Sequence, residues 1–131
     1  MGDGQHMWAA CEWAMMLRNC FVREEHGRLI VGSGVRPEWW RTKSAILGPT
    51  LTPFGPVTVR ITTSAGPAAT GSDAQRQTDS TPNACGRRSA DVVVEGTWRG
   101  VMPQLDVRVP GFTPQQRTAN AAREEFSLSA S

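Results

Sequence analysis

The sequence predicts an α+β protein that is mainly β: one buried N-terminal helix, then a small antiparallel β-sandwich, with a long disordered loop and tail. Two patterns carry this expectation. Ala9, Trp13, Met16, Leu17, Cys20 and Phe21 recur at i, i+4, i+7, i+8, i+11 and i+12, a continuous helical stripe. Further on, Val57, Val59 and Ile61 alternate with Thr58, Arg60 and Thr62, the period of a strand with one face buried. Short apolar runs broken by Gly and Pro turns favour sheet packed on sheet.

The helix begins after Asp3, a suitable N-cap, and runs to about Arg23. Met7, Cys11, Ala14 and Met15 cover much of the side opposite the stripe. A helix apolar nearly all round is expected to be buried. Arg23, Glu24, Glu25, His26 and Gly27 read as a polar exit with a glycine stop. Leu29-Ile30-Val31 is a brief strand ended by Gly32-Ser33-Gly34, and Pro37-Glu38-Trp39-Trp40 is a turn with an aromatic anchor. Ser44 to Leu47 is a further strand. Thr52-Pro53-Phe54-Gly55 has Pro and Gly where a type I turn favours them. Val92 to Trp98 and Leu105 to Val109 complete the strands, and no internal repeat is present.

Between Ile61 and Val92 lie thirty residues without one Val, Ile, Leu, Met, Phe or Trp, the composition of a mobile loop. After Phe112 the tail offers Phe126 and Leu128, with a short helix expected around 119–126. The chain therefore divides into a helix (1–27), a sandwich (28–112, with 62–91 as its mobile loop) and a disordered or weakly helical tail (113–131). About 78 residues remain to build a core, a size at which one core supplies about 3–5 kcal/mol. Short strands can cover one side of the helix; an upstream domain, a partner helix or a second copy is expected to cover the rest.

Composition narrows the function. Hydrophobic residues are 39% and charged residues 20%, which excludes a fully disordered chain. Fourteen basic residues against 12 acidic ones leave a net charge of +2, with no dense basic block, so nucleic acid is not an expected partner. The first six residues lack the cationic start of a secretory signal. Met7 to Val22 is interrupted by Glu12, Arg18 and Asn19, so no membrane span is expected. Three cysteines make a poor disulfide framework. On one helix Cys11 and Cys20 stand about 13.5 Å apart, beyond the roughly 7 Å a disulfide tolerates. Free thiols point to a reducing cytoplasm.

Glu12 is the residue of most chemical interest. Its helical neighbours Trp8, Ala9, Met15 and Met16 are apolar, so burial would raise its pKa unless a cation met it. It reads either as a site carboxylate of a parent enzyme or as a buried structural pair with a residue outside this chain, the second being preferred. His6, at the helix start, either faces a ligand cleft or is a partly exposed first-turn residue. His6, Cys11, Cys20 and His26 match no common zinc spacing, so no metal is expected. Gly32 and Gly34 are followed by Pro37, so the dinucleotide fingerprint fails and no cofactor is expected. Trp39, Trp40 and Trp98 suit either a sugar-binding platform or core packing, with packing preferred.

Taken together, His6-Met7-Trp8-Ala9-Ala10-Cys11-Glu12-Trp13 resembles the last long helix of glycoside hydrolases built on an (α/α)6 toroid, the α-L-rhamnosidase-like enzymes in particular. Leu29 to Gly34 with Glu38-Trp39, then Thr52 to Val57, is similar to the β-sandwich that follows such a toroid. Trp98-Arg99-Gly100 and Pro110-Gly111-Phe112 look like its closing strands. The resemblance implies a non-catalytic C-terminal domain that caps a catalytic toroid, with carbohydrate as the parent's substrate and His6 as a contact to sugar there. Glycosidic cleavage needs two carboxyl groups flanking the bond, and the segment that resembles the toroid helix brings Glu12 alone. No hydrolase activity is therefore expected from this chain by itself. Two other readings stand beside this one: an interaction or dimerisation module using the apolar helix, and a small carbohydrate-binding module.

Overall fold

The computed structural model describes residues 7–36, 38–39, 44–64 and 88–131. Helix α1 (Met7–Phe21) passes without a linker into strand β1 (Val22–Glu25). No glycine stops it. The segment after β2 (Arg28–Val31) meets its last carbonyls instead, Gly32 N–H donating to Phe21 O at 2.8 Å and Gly34 N–H to Cys20 O at 3.1 Å. A helix end needs such partners for its orphan carbonyls. Arg23, Glu24 and Glu25, expected as a helix exit, are thus strand. His26 and Gly27, with φ of 49° and 75°, form the two-residue turn of the β1–β2 hairpin. Positive φ at both positions gives a turn whose twist matches the flanking strands.

Six strands follow: β3 (Ser44–Thr52), β4 (Gly55–Ser64), β5 (Ser89–Gly96), β6 (Gln104–Val107), β7 (Gln115–Thr118) and β8 (Arg123–Ser129). They assemble into one sheet of order β1-β2-β6-β7 and a second of order β3-β4-β5-β8. The architecture is α+β and mainly β, as expected. Val57, Val59, Ile61, Val92, Val94, Phe126 and Leu128 of the second sheet meet Leu29, Val31, Leu105 and Val107 of the first in one buried cluster. Period-2 patterning is what makes that possible, since alternate side chains reach one face.

The structure corrects four expectations. First, the sandwich is not wholly antiparallel: β2 and β6 run parallel, because the chain crosses from β5 in one sheet to β6 in the other before pairing. Second, β3 does not stop at Leu47. It continues to Thr52 across an irregular register between Leu47 and Thr50 that contains Gly48 and Pro49. An edge strand tolerates proline at a bulge. Third, the tail is neither disordered nor helical. β8 pairs with β5 over its whole length, and Glu124, Phe126 and Leu128 are buried in strict alternation. Fourth, the helix is not buried within this chain: among its described residues only Phe21 is.

The expected mobile loop of 62–91 is strand at both ends, where Thr62 pairs with Asp91 and Ser64 with Ser89. Residues 65–87, with Cys85, lie outside the described residues, as do His6, Pro37 and Trp40.

β7 and β8 close one side of the sandwich. Thr113 N–H donates to Ser129 O at 2.9 Å, Gln115 Nε2 to Ser127 O at 2.8 Å, and Arg117 Nη2 to Glu125 O. Residues two apart on one segment thereby occupy the outward carbonyls of the β8 edge, which would otherwise offer a template for another strand.

Candidate docking surface

The strongest functional feature is α1 itself. Met7 is 81% exposed, Trp8 70%, Trp13 65% and Met16 60%, with Met15 and Leu17 also exposed. At 100° per residue these six leave no arc of the helix wider than about 80° without a large apolar side chain. Solvated helices of globular proteins carry a polar face, and this one has none. Glu12 is exposed within the chain, with no partner among the described residues to meet its carboxylate. Shielding is confined to Ala9 and to the C-terminal end, at Arg18, Cys20 and Phe21. Cys11 and Cys20 are free thiols.

Arg18 ties that end to both sheets. It makes a two-pronged ion pair with Glu24 of β1, Nη1 lying 2.9 Å from Oε2 and Nη2 meeting Oε1, and its Nη2 also donates to Leu51 O of β3 at 2.8 Å. Phe21 stacks on Trp39 with ring centroids 6.0 Å apart, closing the join from the other side. The Arg18 guanidinium, hydrogen-bonded to it, holds the Glu24 carboxyl below its ordinary value of 4.5. Because the folded-state value lies below the unfolded one, this contribution is complete above the ordinary carboxylate range and disappears as pH falls through the folded-state value. We therefore expect the difference in thermal midpoint between the parent chain and Glu24→Gln to be constant above about pH 5 and to shrink steadily in acid.

Of the tryptophans expected as a platform or as packing residues, Trp39 and Trp98 are described, and each packs against different neighbours. Trp39 is half-buried against Phe21. Trp98 is half-buried, its Nε1 donating to Ala121 O at 2.6 Å. A Cβ at Gly96 would overlap the Trp98 ring, which fills the inner face where β5 ends. Gly96→Ala should consequently cost about 1–3 kcal/mol, the usual penalty for overpacking, readable in urea unfolding.

Two buried carboxylates escaped the reading of the sequence, and both serve the sandwich. Asp106 accepts from Arg108 Nε at 2.9 Å, Arg108 Nη2 at 2.6 Å and Gln116 Nε2 at 2.9 Å. Glu124 accepts from Asn120 N–H at 2.7 Å and Ala121 N–H at 2.9 Å, with Arg117 Nη2 3.0 Å away. The Arg117 guanidinium also lies 4.0 Å over the Phe126 ring. Each is thus held by donors of the sandwich itself, as a buried carboxylate requires. The i, i+2 spacing of Asp106 and Arg108 is the faint signal that the first pair leaves in the sequence; Arg117 and Glu124 are seven residues apart and leave none.

On the outer face of the second sheet an open groove of about 340 Å³ is lined by Pro49, Pro56, Thr58, Glu95, Gly96 and Arg123. Arg123 is paired with Glu95 at 2.6 Å and with Glu125 at 2.8 Å, so the groove's charges are already satisfied. Among the described residues no group of three His, Cys, Asp or Glu side chains could hold a metal ion. No described helix is long and apolar enough to cross a membrane.

Fold and surface define the class: a two-sheet β-sandwich that presents one uncovered apolar helix. Comparison with family models, curated proteins and solved structures finds no match to the chain.

Proposed function

We propose that this chain is a non-catalytic docking module whose sandwich serves as the base for an apolar helix that another protein body covers. The observation that carries this reading is the ring of large apolar side chains around α1. Their exposed area is on the scale of the roughly 800 Å² that one partner buries in a standard-size interface. Apolar surface of that extent marks an interaction site. Because the apolar side chains circle the helix, a flat partner would leave part of them wet; a groove between helices covers them from several sides. The resemblance to the end of toroid glycoside hydrolases supplies the specific form: an accessory domain capping a catalytic toroid, its helix seated among the toroid's own.

Sedimentation of the purified chain tests the docking reading. We expect mass that rises with concentration and strong binding of an apolar fluorescent dye; a monomer at high concentration that binds no dye overturns it. The nucleotide sequence upstream of Met1, read in frame, tests the accessory form. A long helical open frame supports it, and a nearby in-frame stop leaves the docking module without the toroid.

A further inference from the structure

We infer that Arg18 is the positioning residue of the docking helix, holding α1 in one fixed direction so that it meets its partner as a rigid body. This rests on the docking reading, yet it is carried by different observations. Most of α1 is exposed, so its direction is decided chiefly at its last turn. Three sets of contacts meet there. The backbone bonds from Gly32 and Gly34 hold the carbonyls of Phe21 and Cys20. Phe21 and Cys20 also join the edge of the core, with Trp39 stacked on Phe21. Both lie within the last two residues, too close to the pivot to stop the helix swinging. Arg18 lies a turn further out, and it alone of the helix's charged residues is shielded, with 12% of its side chain exposed.

Its partners lie on different sheets, Glu24 on β1 and Leu51 O on β3. An ammonium has three donors but no fixed fork, whereas the planar guanidinium grips the carboxylate with two nitrogens and meets the carbonyl in one fixed geometry. The bond to a main-chain carbonyl adds a partner that no side-chain motion can withdraw. An unclamped helix would lose orientational freedom on docking, a cost that preorganisation removes.

The experiment uses the full chain with nitroxide labels on Cys11 and on a cysteine introduced by Arg60→Cys, with Cys20→Ser and Cys85→Ser. Cys11 is exposed on the helix, and Arg60 is exposed on the second sheet. Pulsed dipolar spectroscopy should give a single narrow distance for this parent. Arg18→Leu, which keeps the bulk, should at least double the width of the distribution; Glu24→Gln and Arg18→Lys should broaden it less. Far-ultraviolet dichroism confirms that the strands persist, and if Arg18→Leu does not fold, the two milder variants decide. A broad distribution in the parent, or variants as narrow as the parent, overturns the proposal. No partner is needed, so the two readings fail separately. A chain that shows the narrow distance but never associates loses the docking reading and keeps the clamp; one that associates with unchanged widths does the reverse.

Discussion

Lysine in place of Trp8, Trp13 and Met16 together is expected to abolish association while leaving the sandwich folded. These side chains are more than half exposed and lie along one half of the helix, so replacing them removes no contact on which the core depends. Lysine is a good helix former, which keeps the helix itself from being the casualty. A buried aromatic anchor is worth about 2 kcal/mol or more at the centre of an interface. Trp13→Ala alone should therefore weaken association about 30-fold, since each 1.4 kcal/mol is a factor of ten. Sedimentation across a hundredfold range of concentration reads both effects. A triple variant that still associates would place the contact elsewhere, with the exposed Val101 and Met102 as the next surface to change.

Glu124→Ala should be among the most damaging single substitutions in the sandwich. The carboxylate is 4% exposed and serves two backbone N–H groups, of Asn120 and Ala121, besides Arg117. Alanine leaves those two donors without their acceptor in a turn that Gly96 N–H and the Trp98 indole also hold, through Ala122 O and Ala121 O. Each stranded group costs about 1–3 kcal/mol, so a loss of about 2–6 kcal/mol is expected in urea unfolding. Glu124→Gln separates charge from hydrogen bonding. Its amide oxygen continues to accept from both N–H groups, and the lost ion pair with a half-exposed Arg117 is worth about 1 kcal/mol or less. Equal losses from the two variants would mean that the ion pair, rather than the turn, carries the stability.

Much of the fold was legible in the residues. The helix, the β4 alternation, the Pro53 turn and the runs at Leu29 and Leu105 all lie within a few residues of their expected places. Those signals are local: a side-chain period, a fixed φ, a glycine. What was illegible depended on partners far along the chain. β8 carries two large apolar residues among charged and small ones, too few to distinguish a strand from a frayed helix, and its identity comes from register with β5. β3 continues through Gly48-Pro49 because it is an edge strand, a property of the assembled sheet. His26-Gly27 reads equally well as a helix stop or as a hairpin turn, and only the pairing of Glu25 with Arg28 decides between them.

The candidate site divides in the same way. Its apolar, all-round character was plain from the spacing of Met7, Trp13, Met15, Met16 and Leu17, and so was the need for cover beyond a few short strands. The sequence by itself determined that this chain has one apolar helix, a patterned sandwich and too little core to enclose that helix. The tertiary structure decided that the chain itself leaves Glu12 exposed, that Trp39 and Trp98 pack against different neighbours, and that Arg18 reaches two sheets at once. The physical reason is range. Periodicity and turn chemistry act over a few residues, whereas burial and hydrogen-bond partnership are settled by which distant segment arrives beside them.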